Sequence, residues 1–301
     1  MARDIPPSST PSGGRDQARL DPGLYIVATP IGNARDITLR ALDVLGMVDL
    51  VLCEDTRVTS KLFAIHGLRT PLRAYHEHNA AAERPRVLSK IEAGAAIALV
   101  SDAGTPLISD PGYKLVRDLV AAGHGVTTLP GASSVMAALT LGALPTDRFL
   151  FVGFLPPKEA ARRTALEEVA DTSATLVFLE SPRRLAESLG DMAHVLGDRP
   201  VTVARELTKK FEEIRRGTAT ELHQHYLAVG DPKGEIVVLV GPPGKQVEVD
   251  EGDLDQMLRR ALASHSLKDA VAAVTDATGL KRKQVYARAL ELGKAEPGEV
   301  E

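Results

Sequence analysis

The chain has no tryptophan, and aromatic residues make up only 4% of it. Its core must therefore be aliphatic, and no aromatic platform for stacking bases stands out. A single cysteine, Cys53, excludes a disulfide framework and a cysteine-based zinc cluster. There is no apolar run of about 18 residues, the length a membrane helix needs. The opening Met1-Ala2-Arg3-Asp4-Ile5-Pro6-Pro7 lacks the apolar centre of a secretion signal, so a cytoplasmic protein is expected. No segment is basic overall and the net charge of −4 is spread evenly, so composition names no nucleic-acid partner. A G-x-x-x-x-G-K-[ST] loop is missing, and no G-x-G-x-x-G follows the first apolar run. That argues against a P-loop and against a dinucleotide fold of the usual kind.

What is there is an ordinary globular composition, 44% apolar and 25% charged, over 301 residues. That length predicts two domains and a small third. Residues 1–22 are rich in Pro, Ser and Gly without apolar periodicity and read as a disordered tail. Short apolar runs at 24–28, 50–53, 96–100 and 126–129 read as buried strands, with helical patterns near 37–46, 57–66, 80–93 and 112–122. Alternating strand and helix predicts a parallel sheet covered on its faces, over 23–145. Pro145-Thr146-Asp147 marks a boundary. A second α/β domain, 146–243, has strands near 149–154, 175–180, 200–205, 212–217 and 235–241. Its helices fall near 159–170, 183–196 and 218–228. Consecutive strands over 200–217 predict an antiparallel pair and a mixed sheet. Gly241-Pro242-Pro243-Gly244-Lys245 reads as a linker to a helical extension, 250–293. Within it Ser266-Leu267-Lys268-Asp269 is a helix start, and a break at Gly279 gives helix-turn-helix proportions.

Three strands of the first half end in loops rich in small residues and proline. These are Thr29-Pro30-Ile31-Gly32-Asn33, Ser101-Asp102-Ala103-Gly104-Thr105-Pro106 and Pro130-Gly131-Ala132-Ser133-Ser134. Singly, each is explained by a tight turn. Together at the carboxyl edge of one parallel sheet, they let backbone groups approach a small ligand. The residues by themselves do not say which ligand.

These loops, with Asp36-Ile37-Thr38-Leu39-Arg40, Cys53-Glu54-Asp55-Thr56-Arg57 and Tyr75-His76-Glu77-His78-Asn79, resemble the tetrapyrrole methylase superfamily. So do Leu144 to Phe149, Gly153 to Lys158, Glu180-Ser181-Pro182-Arg183-Arg184-Leu185, Ala204 to Lys209 and Lys233-Gly234-Glu235-Ile236. The resemblance spans about 24–293 and is to the members that methylate ribosomal RNA. Arg184 and Ala132 depart from the usual pattern. It implies S-adenosylmethionine bound between two α/β domains. Carried over by motif, its contacts are Pro30, Ala103, Gly104, Thr105, Ile108, Ser133 and Ser134, with Leu179, Ala204 and Gly234 from the second domain. It implies 2′-O-methylation of a cytidine ribose in 16S RNA of the small subunit, by a homodimer.

Such a transfer needs alignment of two reactants and help in removing the hydroxyl proton. Candidates are Glu54, Asp55, His76 and Glu180, with Glu77, Glu206 and Lys209 behind them. For Glu54, Asp55 and Arg57 the plain alternative is a helix start that favours acids. Expected RNA contacts are Arg57, Asn79, Arg183, Lys209, Lys281, Arg282 and Lys283. Other basic pairs read as solvated surface. His76-Glu77-His78 lacks the spacing of a metal motif, so no metal is expected. His223-Gln224-His225 reads as an exposed helix face, and Cys53 as core. Two other functions stay open: C-methylation of a tetrapyrrole or corrin ring, and a non-catalytic ribosome-binding factor on the same fold.

Overall fold

The structure, a computed structural model, describes residues 19–109, 112–244, 251–278, 280 and 282–294. Most of the expected tail, 1–18, lies outside the described residues, as do Lys245, Gly279 and Lys281. By its contacts the chain forms two units. The first takes the chain up to Ala138 plus Glu206–Glu212; the second takes Leu139–Arg205 and Glu213 onward.

In the first unit, strands β1 (Gly23–Val27), β2 (Leu50–Cys53), β3 (Leu72–Ala74), β4 (Ala96–Val100) and β5 (Gly125–Leu129) form one sheet in the order β3-β2-β4-β1-β5. Every pairing is parallel. Helices α1 (Leu39–Met47) and α2 (Thr56–His66) contribute to the core on one face through Val44, Leu45 and Phe63, packed with Val27, Val51 and Cys53. Helices α3 (Ala80–Glu92) and α4 (Tyr113–Ala121) supply Val87, Ile91, Leu115 and Leu119 to the other, packed with Leu24, Leu52 and Ile97. Burial on both faces is why β4 is apolar at every position. Cys53 is fully buried, and burial pushes its thiol pKa up, which suits a core residue. α1 begins at Leu39 rather than 37, because the Thr38 hydroxyl accepts the Ala41 N–H as a cap.

Two elements were not expected. β3 has three half-buried residues and no apolar run to announce it. Helix α5 (Ser134–Leu141) follows the third small-residue loop and is apolar on all sides, so it lacks a helical stripe.

In the second unit, β6 (Phe149–Phe154), β7 (Thr175–Glu180), β8 (Pro200–Arg205), β9 (Glu213–Thr218) and β10 (Ile236–Val240) form a sheet in the order β6-β7-β10-β8-β9. β6 and β7 are parallel, β10 runs antiparallel to both neighbours, and β8–β9 is the expected antiparallel pair. Helices α6 (Glu159–Val169), α7 (Leu185–Leu196) and α8 (Ala219–Val229) bring Leu166, Leu189, Met192, Leu222 and Tyr226 against Phe178, Val203 and Val238. Among these helices Arg162 is buried and ion-paired to buried Asp191 at 2.6 Å. His223 corrects the expected exposed helix face: it is half-buried, and its Nδ1 lies 2.7 Å from the Ala186 carbonyl.

Among the described residues the extension has three helices, α9 (Glu251–Leu262), α10 (Leu267–Thr278) and α11 (Arg282–Lys294). They share a core of Leu254, Leu258, Val271, Val274, Val285 and Ala289. Ser266 caps α10 by accepting the Asp269 N–H, as its spacing predicts. Arg288 grips Asp255 through two bonds of 2.7 and 2.9 Å, tying α11 to α9. Among the described residues no helix is long and apolar enough to cross a membrane.

Candidate functional site

β4, β1 and β5 are neighbours pointing the same way, so the three small-residue loops leave one edge of the sheet together. They are bonded into one cradle. Thr29 N–H donates to the Gly104 carbonyl at 2.9 Å, and Gly104 N–H donates back to Thr29 at 3.0 Å. The buried hydroxyls of Thr29 and Ser101 brace the turn, bonding the carbonyls of Ser101 and Gly104. Thr105 joins the third loop through its hydroxyl, which donates to the Ala132 carbonyl at 3.1 Å. Gly104 is required here. Its φ is +83°, and a Cβ would lie 3.3 Å from the Ile31 side chain. Gly131 also permits a close approach, since its Cβ would sit 2.9 Å from that of Ala28. Leu107 and Ser109 hold φ of +71° and +65° without being glycine, a stored strain typical of ligand-binding turns. Of the expected donor contacts, Ala103 and Ile108 are exposed, while Pro30, Thr105, Ser133 and Ser134 are half-buried. Small side chains, backbone groups and hydroxyls at one sheet edge fit a compact polar ligand such as S-adenosylmethionine.

The tip of the β8–β9 hairpin, Glu206–Glu212, belongs to this unit and braces the first loop. Asn33 N–H donates to the Thr208 hydroxyl at 3.1 Å. Gly32 packs so closely that an added Cβ would lie 2.4 Å from Lys209 and 2.7 Å from the Thr208 hydroxyl. Glu206 and Thr208 adopt left-handed backbone, φ +51° and +66°. Lys209, an expected RNA contact, is ion-paired to Glu206 at 2.8 Å.

Beside the cradle lies a cavity of about 470 Å³ lined by Glu54, Asp55, Thr56, Arg57, Ala74, His76, His78 and Asp102. Asp55 caps α2 by accepting the Arg57 N–H, and its carboxylate also holds the Arg57 guanidinium at 2.6 Å. That partner keeps the Asp55 pKa down at about 2 and pushes that of Arg57 up. Both the helix-start and the site readings of this block therefore describe the same residues. Asp102 accepts the Asp55 backbone N–H at 3.0 Å. Burial raises its pKa against the lowering effect of that bond, and the Asp55 charge raises it further. His76 is set by Asn79, whose side-chain oxygen accepts the His76 N–H while its amide donates to the Ala74 carbonyl. The Nδ1 atom of His76 is buried without a hydrogen-bond partner. One loop serves both features: Asp102 lines the cavity, and Ala103, Gly104 and Thr105 form the cradle.

In the second unit, Leu179 and Ala204 flank Val237 from its two neighbouring strands, and Gly234, at φ +97°, turns the chain into β10 just before them. These three expected donor contacts therefore share one end of that sheet. Glu180 is committed elsewhere. It is buried, and accepts the Ser181 N–H at 2.7 Å and the Ser188 hydroxyl at 2.5 Å. Arg184, near it at 3.5 Å, donates to the carbonyls of Leu155 and Pro156. This network locks the turn after β7 and gives each Glu180 oxygen a hydrogen-bond donor. Arg183 is exposed.

Of the other expected RNA contacts, the Arg57 side chain is 86% exposed. Arg282 and Lys283 are exposed at the start of α11. Asn79 spends its side chain on the turn that holds His76. The cavity residue that sequence reasoning missed as a candidate is Asp102. Its only signal was its place directly before the small-residue run.

A family model described as Tetrapyrrole (Corrin/Porphyrin) Methylases matches residues 23–223, and one described as RsmI C-terminal HTH domain matches 248–293. The chain is similar to a protein of Mesorhizobium japonicum named ribosomal RNA small subunit methyltransferase I, 50% identical over 91% of this chain and 93% of that one. A protein of the same name from Erythrobacter litoralis is 53% identical, over 91% and 96%. Among solved structures, a uroporphyrin-III-C-methyltransferase from Thermus thermophilus matches with a TM-score of 0.53 and 22% identity, over 72% of this chain and 93% of that one. A diphthine synthase matches at 0.56 and 13%, over 72% and 89%. These two show the shared fold.

Proposed function

The chain belongs to the tetrapyrrole (corrin/porphyrin) methylase family and is an S-adenosylmethionine-dependent methyltransferase, and on that premise we propose that it methylates the ribose 2′-oxygen of a cytidine in 16S RNA of the small ribosomal subunit. The relatives at 50 and 53% identity carry a ribosomal RNA name. The cytidine and the 2′-oxygen rest on the resemblance in sequence that spans about 24–293.

The observation that carries this reading is the shared loop of the first unit. Its Asp102 lines a cavity of about 470 Å³ with acidic, basic and imidazole groups, and its next three residues build the cradle, which supports a donor and an acceptor held side by side. When bound, S-adenosylmethionine supplies a methyl group on a cationic sulfur, already activated for displacement. The protein's part is then to align and desolvate the two reactants. Pro30, Ala103, Gly104, Thr105, Ile108, Ser133 and Ser134 hold the donor. Arg57, its side chain 86% exposed, grips a phosphate of the acceptor strand. Arg282, Lys283 and exposed Arg183 add phosphate contacts, giving binding that weakens with salt.

The working form is a homodimer. β6 is an edge strand of the second sheet, and it exposes Phe149, Leu150 and Phe154 at 42, 36 and 58%. An apolar edge of this kind is a surface that a soluble protein covers. The protein acts in the cytoplasm, with assembled or assembling small subunits.

The test is label transfer. Small subunits from cells lacking the activity, incubated with the protein and methyl-labelled donor, take label into 16S RNA. Label absent from RNA but present in a supplied uroporphyrin-type ring would overturn the reading.

A further inference from the structure

We propose that Asp102 accepts the proton of the acceptor hydroxyl, a role that rests on the ribose-methylation reading above. A ribose hydroxyl is a weak nucleophile while protonated, so a base aimed at it accelerates transfer.

Position singles out Asp102 among the cavity groups. The cradle is built on β4, β1 and β5, and Asp102 follows β4 itself, one residue before Ala103. Glu54 and Asp55 follow β2, one strand further out, and His76 and His78 follow β3, two strands out. Strands lie about 4.8 Å apart, so the histidines are set back by roughly 10 Å along the sheet edge.

Bonding points the same way. Asp55 is committed to Arg57 and to the first turn of α2. Glu54 is exposed. Asp102 is half-buried, with one oxygen fixed by the Asp55 N–H at 3.0 Å. That bond orients the carboxylate, and among the described residues nothing donates a hydrogen bond to Oδ2. The charged and titratable groups around it are Cys53, Glu54, Asp55, Arg57, His76 and His78. Burial and the Asp55 charge both make the Asp102 carboxylate a stronger base than a solvated one.

The step balances. The O2′–H bond breaks as a new O–H bond forms on Asp102 Oδ2. The freed pair on O2′ becomes the bond to the methyl carbon, and the carbon–sulfur pair remains on sulfur. Charge on the carboxylate is neutralised as the cationic sulfur becomes neutral.

Asp102→Asn tests this, because the amide oxygen still accepts the Asp55 N–H while the base is lost. The expected result is a fall in kcat of about 100-fold or more, with donor affinity by calorimetry and subunit binding both within about twofold of wild type. The acid limb of the wild-type pH–rate profile should vanish in the variant, and Asp102→Glu should recover part of the rate. In donor-free protein, carbon NMR should show Asp102 titrating above about 3.9, the ordinary aspartate value. Near-wild-type kcat with the acid limb intact overturns the assignment alone, as does a rate loss that merely follows weakened donor binding. Wild-type protein that binds donor and leaves RNA unmethylated overturns this inference together with the function on which it rests.

Discussion

Thr29 and Gly104 exchange backbone hydrogen bonds of 2.9 and 3.0 Å, an isolated antiparallel contact between two loops that follow parallel strands. The contact holds the loops after β1 and β4 at one separation. It depends on Gly104 at φ +83°, where any side chain also meets Ile31.

Gly104→Trp should therefore abolish donor binding while leaving a folded dimer. Gly104→Ala should cost about 1–2 kcal/mol of stability from left-handed backbone and weaken donor binding in a graded way. Calorimetric titration with S-adenosylmethionine checks both; unchanged affinity in the Trp variant contradicts this placement of the donor.

Asp55 and Arg57 should titrate as a pair. Carbon NMR is expected to place the Asp55 midpoint at about 2, held down by the hydrogen bonds from Arg57. In Arg57→Gln it should return toward about 3.9. Because the folded pKa is depressed, the stabilising contribution is complete above the unfolded value. It is lost as the pH falls through about 2, so the variant should be selectively weaker on the neutral side of that window.

Asp191 is ion-paired to two arginines, buried Arg162 at 2.6 Å and Arg163 at 2.7 Å. Asp191→Ala removes the closest charge partner of the buried Arg162 guanidinium, leaving Glu187 at 3.7 Å and the Pro157 carbonyl at 3.1 Å. The loss should be about 3–5 kcal/mol, the range for breaking one partner of a buried pair. Urea denaturation with tryptophan-free probes, such as far-ultraviolet circular dichroism, reads it directly.

Arg282→Gln combined with Lys283→Gln should weaken subunit binding and make it less salt-sensitive. Removing two phosphate contacts should lower the slope of log K against log salt by about 1–2. Donor affinity should not change. An unaltered slope would show that α11 does not touch RNA.

The two sheets are legible in the sequence because their central strands are buried and read as unbroken apolar runs, β4 and β10 most plainly. β3 and α5 are not, since one is too short and the other has no polar face. The donor edge is legible for a chemical reason: three loops of small residues on adjacent parallel strands leave room for a ligand. The acids are harder. Glu180 and Asp102 each close a strand-to-loop junction and look alike in sequence. What separates them is the hydrogen bonds from Ser181 and Ser188 that satisfy Glu180, against the single Asp55 N–H that Asp102 receives. Those partners come together only in the folded chain. His223 shows the same limit, because its bond to Ala186 comes from another helix.

The most direct test of the account is the identity of the methylated nucleoside. Small subunits from cells lacking the activity are treated with the protein and labelled donor, and the RNA is digested to nucleosides for mass spectrometry. Label is expected in 2′-O-methylcytidine, with the methyl group retained on the ribose fragment. Label on a base fragment, or on the ribose of another nucleoside, would contradict it.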